Sequence, residues 1–177
     1  MKAVLISIRK EHNEKIFDGI KRFEGRKTLP AIIQLGNHID NTTTYNPSEY
    51  DVICYVYEPK AGGGCGKVVG YFICDFAQTF HTKFANMRMV SNALRVSEDF
   101  AKQYFNREKG YMLRVCAPQR YDKPKALIEF CHPCDRDPQC DCRYCVRYGG
   151  NKPILRAPQS WCYVEQLQNE YSGGRHE

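Results

Sequence analysis

Lys21, Arg22, Glu24 and Arg26 are the side chains of this sequence whose types and spacing could do chemistry together. A lysine and two arginines this close can neutralise phosphate or donate to a base edge. A carboxylate among them can orient the cations or accept from an exocyclic amine. The plain alternative is a surface network in which alternating charges pair across a strand.

A second constellation is the run CHPCDRDPQCDCRYC, which begins at Cys131. Its two C-x-x-C pairs, Cys131 with Cys134 and Cys142 with Cys145, can point four thiolates at one tetrahedral zinc ion, and the short loop carrying Pro138 can return the chain to close the site. Cys140 and His132 are surplus ligands, either of which could replace one of the four. A closed four-sulfur site is structural, with no open position for water. The competing reading is a reduced, flexible loop. Ten cysteines would suggest a disulfide scaffold in a secreted chain, but the N-terminus enters a strand pattern with no signal-peptide features, so a cytoplasmic protein is expected. Cys54, Cys74, Cys116 and Cys162 lie singly in strand-like runs, as small core residues do.

The elements that must position the cationic cluster are legible nearby. In residues 4–27, Val4, Ile6 and Ile8 alternate with Leu5 and Ser7 as in a strand, and Ile16, Phe17 and Ile20 share one face of a following helix. Gly19 stops that helix, since glycine takes the left-handed conformation without a Cβ penalty. The next strand has a period that sets Arg22, Glu24 and Arg26 on one face, with Lys21 at the turn.

Further along, residues 30–50 form a long loop with one short strand at 32–35, where His38 and Asp40 are ordinary turn material. Residues 51–57 predict a strand buried on both faces, paired through the glycine-rich residues 60–66 with residues 67–74. The glycine run lacks the G-x-x-x-x-G-K-[ST] pattern of a phosphate loop, and Gly70 marks a bulge or bend. Phe76, Phe80 and Phe84 recur every four residues and predict a helix packing them inward. Interleaved with Lys83, Arg88 and Arg95, they could instead stack bases and hold phosphates. Ser97 caps a scaffold helix whose apolar stripe is Phe100, Ala101, Tyr104 and Phe105. Strands at 111–116 and 161–164, with a loop and short run at 121–130, complete an α+β chain: a small β-barrel decorated by helices, with a cysteine-rich insertion at 131–156.

With 177 residues and 42% hydrophobic side chains, one domain over 1–177 is expected. No run of about 18 apolar residues predicts a membrane span. A net charge of +6 favours a polyanionic partner.

Gly19, Lys21, Glu24 and Arg26 also match the G-x-K-x-x-E-x-R motif, and in this the chain resembles the ASCH domains of the PUA-like superfamily. The resemblance recurs in KAVLISI near the start, GKVVGYF at 66–72, YDKPKALIEF at 121–130 and APQSWCYVE at 157–165, blocks that look like those of short bacterial and phage-borne ASCH proteins. It implies a small β-barrel that binds RNA or a modified nucleotide. Lys21, Arg22, Glu24 and Arg26 would then make the polar contacts, and Trp161, Tyr163 or Tyr57 could supply a stacking face. Some ASCH-like proteins are similar to amidohydrolases that deacetylate modified cytidine, or to ribonucleases, and this implies Lys21 as the catalytic residue with Glu24 beside it, on condition that burial or a neighbouring cation, Arg22 or Arg26, lowers the lysine pKa. The amidohydrolase pattern has threonine where this chain has Glu24, and its distal glutamate has no counterpart here. Ser160 could supply a hydroxyl instead, or simply cap the turn before the last strand.

Overall fold

The computed structural model describes residues 2–36, 51–133 and 152–167. Its first strand, β1 (Lys2–Ser7), is buried at Ala3, Val4, Leu5 and Ile6, so both of its faces meet apolar layers. It lies between β3 (Val52–Glu58), to which it is parallel, and β8 (Trp161–Glu165), to which it is antiparallel. A parallel pair needs a crossover. Here the crossover includes α1 (Lys10–Phe17) and β2 (Phe23–Arg26), the elements that carry the cationic cluster.

The remaining elements in chain order are β4 (Lys67–Cys74), β5 (Ala77–His81), α2 (Met87–Leu94), α3 (Glu98–Tyr104), β6 (Lys109–Arg114) and β7 (Cys116–Lys125). They build a five-stranded sheet in the order β7-β4-β3-β1-β8 and a three-stranded sheet in the order β2-β6-β5. One face of the larger sheet, with Val4, Ile6, Cys54, Val56 and Phe72, packs on Ala77 and Leu113 of the smaller sheet and on Ile16 of α1. Its other face, with Leu5, Ile53, Tyr55 and Ile73, is covered by Phe130 and Ile154. Helices α2 and α3 cover the far side of the small sheet through Val90, Leu94, Ala101 and Phe105. The alternation of β1 and β3 is thus real, with both sets of side chains buried.

The described strands pair into two sheets, where a single closed barrel was expected. The chain passes between the two sheets at β1/β2, β2/β3, β4/β5 and β6/β7, and the last two passages are short corners, at residues 75–76 and at residue 115. The two corners are tied side by side. Arg114 Nε donates to Asp75 Oδ1 at 2.9 Å and its Nη2 to Asp75 Oδ2, while its guanidinium stacks 4.7 Å from the Phe76 ring centre. This fork-to-carboxylate clamp holds the corners together where barrel closure would require continuous strand pairing.

The helix expected from the phenylalanine spacing is replaced by strand β5 and, after a turn, by α2. Phe80 lies edge-on to Phe105 at 5.0 Å, whereas Phe84 is exposed. Ser97 caps α3 as expected, its hydroxyl accepting from Phe100 N–H at 3.2 Å. Gly70 lies at a bulge in the β3–β4 ladder, where a Cβ would come within 2.2 Å of the Gln119 carbonyl. Gly19 follows the end of α1 at φ +72°, as its C-terminal role requires, but Ile20 is half exposed rather than packed with Ile16. Within the stretch expected as an insertion at 131–156, Ile154 lies in the core. Of the cysteines assigned to the interior, Cys54, Cys74 and Cys116 are buried and Cys162 partly so. Among the described residues no helix is long and apolar enough to cross a membrane.

Candidate functional site

Lys21, Glu24 and Arg26 converge at the bottom of a cleft of about 310 Å³. The convergence begins at the end of α1, where Lys21 N–H donates to the Lys15 carbonyl at 2.8 Å and folds the turn back. Strand β2 then pairs with β6 and sets Glu24 and Arg26 on the same buried side. All three side chains are less than a tenth exposed. Lys21 Nζ lies 2.7 Å from Glu24 Oε2, and Arg26 Nη2 lies 2.9 Å from Glu24 Oε1. Arg26 Nη2 also donates to the Ser7 carbonyl at 2.7 Å, and its Nη1 is 3.5 Å from the Ser160 carbonyl. The cluster is therefore bound to β1 and to the segment entering β8.

Burial pushes the Glu24 carboxyl up, but the charges of Lys21 and Arg26 outweigh burial and hold it below its ordinary value. With Glu24 ionised, the three groups sum to one excess positive charge. Hydrogen bonding around the cluster is also incomplete: Glu24 Oε2 is engaged by Lys21, but Arg26 Nε and His12 Nδ1 are buried atoms with no hydrogen-bond partner. Polar atoms in that condition call for a partner.

Opposite the cluster, the cleft is walled by aromatic residues from α3. Phe100 and Tyr104 stack with their planes 9° apart and centres 5.8 Å apart, and the His12 ring lies 5.8 Å from Phe100. Burial, and then the Lys21 charge, lower the His12 pKa, which favours a neutral imidazole. Burial raises that of Tyr104. Arg9 and Gln159 stand at the lining, so β1, α1, β2, α3 and the segment before β8 all contribute.

Other expected site residues fall elsewhere. Arg22 precedes β2 and is exposed; its carbonyl accepts from Val115 N–H at 2.9 Å. Trp161 and Tyr163 meet at 5.4 Å outside the cleft lining and serve the chain after β2: Trp161 Nε1 donates to Thr28 Oγ1 at 3.0 Å, and Tyr163 Oη accepts from Ala31 N–H at 2.9 Å. Tyr57 is buried. Ser160 contributes its carbonyl, which accepts from Ser7 N–H at 2.9 Å. His12, Phe100 and Tyr104 are the residues that sequence reasoning missed. Their available signal is weak: His12 lies one helical turn before buried Ile16, and the stripe of α3 is wider than packing against one neighbour needs.

Cys134, Cys140, Cys142 and Cys145, with His38 and Asp40, lie outside the described residues. Cys131 is partly buried and pairs with Pro153 in a short antiparallel bridge. Among the described residues, no group of three or more His, Cys, Asp or Glu side chains is placed to hold a metal.

No protein-family model and no curated protein sequence matches the chain. Solved structures do. An ASCH protein from Zymomonas mobilis superposes with a TM-score of 0.58 at 16% identity, covering 93% of this chain and 88% of that one. Its serine-to-alanine variant gives 0.58 at 16% identity over 93% and 89%, and its tyrosine-to-phenylalanine variant 0.57 at 16% over 94% and 92%. The likeness extends over more than nine-tenths of the chain, and the fold of this chain is that of an ASCH domain.

Proposed function

We propose that the chain binds RNA or a nucleotide by taking a single base or nucleotide into the cleft above Lys21, Glu24 and Arg26. The observation that carries this reading is a buried, unpartnered donor, Arg26 Nε, beside the buried Lys21–Glu24 pair at the floor of an aromatic-walled cavity. A carboxylate oxygen accepts from an exocyclic amine, a guanidinium donates to a base edge or phosphate, and Phe100 and Tyr104 offer a face for stacking. The volume is near the lower end of small-ligand sites, about 300–1,000 Å³, and suits an unstacked nucleotide rather than a duplex. The excess positive charge at the floor and Arg9 at the lining favour the phosphate.

The test is a fluorescence titration of labelled single-stranded RNA against salt, with circular dichroism confirming that each variant is folded. Lys21→Ala and Arg26→Ala should each weaken binding, and removing a cation that neutralises one phosphate should flatten the log–log salt slope by about 0.7. Unchanged affinity and slope in both would remove the cleft from the binding site. No binding at low salt would remove the partner class.

A second reading is supported by the presence of Lys21, Glu24 and His12, three titratable groups, in one cleft: amidohydrolysis of an acetylated nucleoside, or RNA cleavage, with Lys21 as the catalytic residue. Lys21 could act only after leaving the carboxylate 2.7 Å away, so binding ranks first. Turnover of acetylated cytidine that Lys21→Ala abolishes would reverse that order.

Cys131, Cys134, Cys142 and Cys145 are proposed to hold one structural zinc ion. The base of their segment supports this, because His132 N–H donates to the Lys152 carbonyl at 2.9 Å and Ile154 N–H to the Phe130 carbonyl at 2.7 Å. Both stems of the segment are thus pinned together next to Cys131. Bound there, the ion would lend its binding energy to ordering the segment.

A further inference from the structure

Phe105 lines the cleft on one side and, on the other, a shallower depression that Lys83, Asn106 and Arg107 also line. Lys27 joins the two. Its Nζ lies 4.9 Å from the ring centre of Tyr104, a cleft residue, and donates to Asn106 Oδ1 at 3.1 Å. Within the depression Lys102 is paired with Glu98 at 2.7 Å, and Glu108 lies 3.8 Å from His81. Lys83 and Arg107 therefore outnumber Glu108 there and leave one excess positive charge, with Lys27 adding a second at the junction.

Next to Lys83 stands Phe84, 80% exposed. The segment presenting it is built, since Phe84 N–H and Ala85 N–H donate to the His81 carbonyl at 3.0 and 2.8 Å. Asn86 then caps α2 by accepting from Arg88 and Met89 N–H. Lys83 Nζ lies 5.7 Å from the Phe84 ring centre, and the His81 ring is 6.3 Å away. An aromatic face held in solvent by an ordered turn, with cations beside it, can stack a base and hold its phosphate.

We infer that Lys27, Lys83, Arg107 and Phe84 form a second subsite for single-stranded RNA, reached by the strand whose one base occupies the cleft. The strand passes over Tyr104 and Lys27, lays its backbone across Lys83 and Arg107, and stacks a further base on Phe84. Charge and continuity with the cleft select a polyanion, and the stacking face selects one with unpaired bases. The inference deepens the nucleotide-binding reading and rests on it.

Anisotropy titrations with a labelled mixed-sequence RNA of roughly twelve nucleotides, single-stranded and as a duplex, separate the two. Phe84→Ala should weaken single-strand binding by roughly five-fold or more, as loss of one stacked base does. The Lys83→Ala/Arg107→Ala double variant should flatten the single-strand salt slope by about 1.4. If Lys21→Ala weakens binding while Phe84→Ala and the double variant bind as wild type does, the second subsite is wrong and the cleft reading stands. Equal loss of duplex and single-strand binding by Phe84→Ala would overturn the single-stranded occupant. If the wild-type chain binds neither RNA, both readings fall together.

Discussion

The Lys21 ammonium lies 2.7 Å from the Glu24 carboxylate, three residues on, with the two side chains 3% and 7% exposed. Removing the carboxylate leaves Lys21 and Arg26 buried without a counter-charge. Glu24→Ala should therefore destabilise the protein by about 3–5 kcal/mol, read from chemical denaturation. The pH dependence has a definite sign. The folded carboxyl is held below 4.5, so its stabilising contribution is full above that value and is lost as pH falls through the lower folded value. Wild type should lose more stability than Glu24→Gln over that acid interval. Parallel curves for the two proteins would show that the pair contributes no linkage.

His12 faces Lys21, Glu24, Glu11 and Lys15, and burial followed by the Lys21 charge lowers its pKa from 6.5. Its NMR titration midpoint should lie below that value, and Lys21→Met should raise it. A neutral folded histidine favours folding above about 6.5, and that contribution is lost as pH falls through the folded midpoint. A midpoint that Lys21→Met leaves unmoved would place the imidazole out of reach of the cluster.

Gly25 separates the two site residues of β2 while touching the helices behind it. An added Cβ would lie 2.8 Å from Leu94 Cδ1 and 2.9 Å from Phe105 Cζ, both in packed side chains. Gly25→Ala should cost about 1–3 kcal/mol as overpacking. RNA binding by the folded variant should weaken as well, because relief of the clash moves Glu24 and Arg26. Wild-type affinity in a destabilised variant would show that the strand yields away from the cleft.

Metal analysis of protein purified without chelator should find about one zinc per chain, and chelation should open Arg136, Arg143 or Arg147 to trypsin while the core remains folded. Absence of metal with freely titratable thiols would leave the reduced-loop reading.

Legibility in the sequence follows the range of the forces involved. The strand period of β1, the Gly19 stop and the Ser97 cap depend on residues within a turn of each other, and they read correctly. The phenylalanines at 76, 80 and 84 mislead because their spacing is helical. Their surroundings are set by the Asp75–Arg114 clamp and by Phe105, which no local pattern announces. Arg22 is misplaced for a smaller reason: β2 begins one residue later, so strand alternation does not extend to it. Lys21, Glu24 and Arg26 are close in sequence and found together, whereas His12, Phe100 and Tyr104 meet them only through packing of α1 and α3 around β2.

The placement of β1 between β3 and β8 has a consequence for synthesis. Lys2 pairs with Glu165 and Ile6 with Trp161, so the first described strand waits for the last before its second edge is covered. Until then a ribosome-bound chain presents a row of unpaired backbone groups along β1, an invitation to pair with another chain. Pairings this distant in sequence also slow folding. The same delay reaches the site, since the Ser160 carbonyl near Arg26 arrives just ahead of β8. A chain released before residue 160 would carry Lys21, Glu24 and Arg26 with part of their cradle missing and a sticky strand beside them.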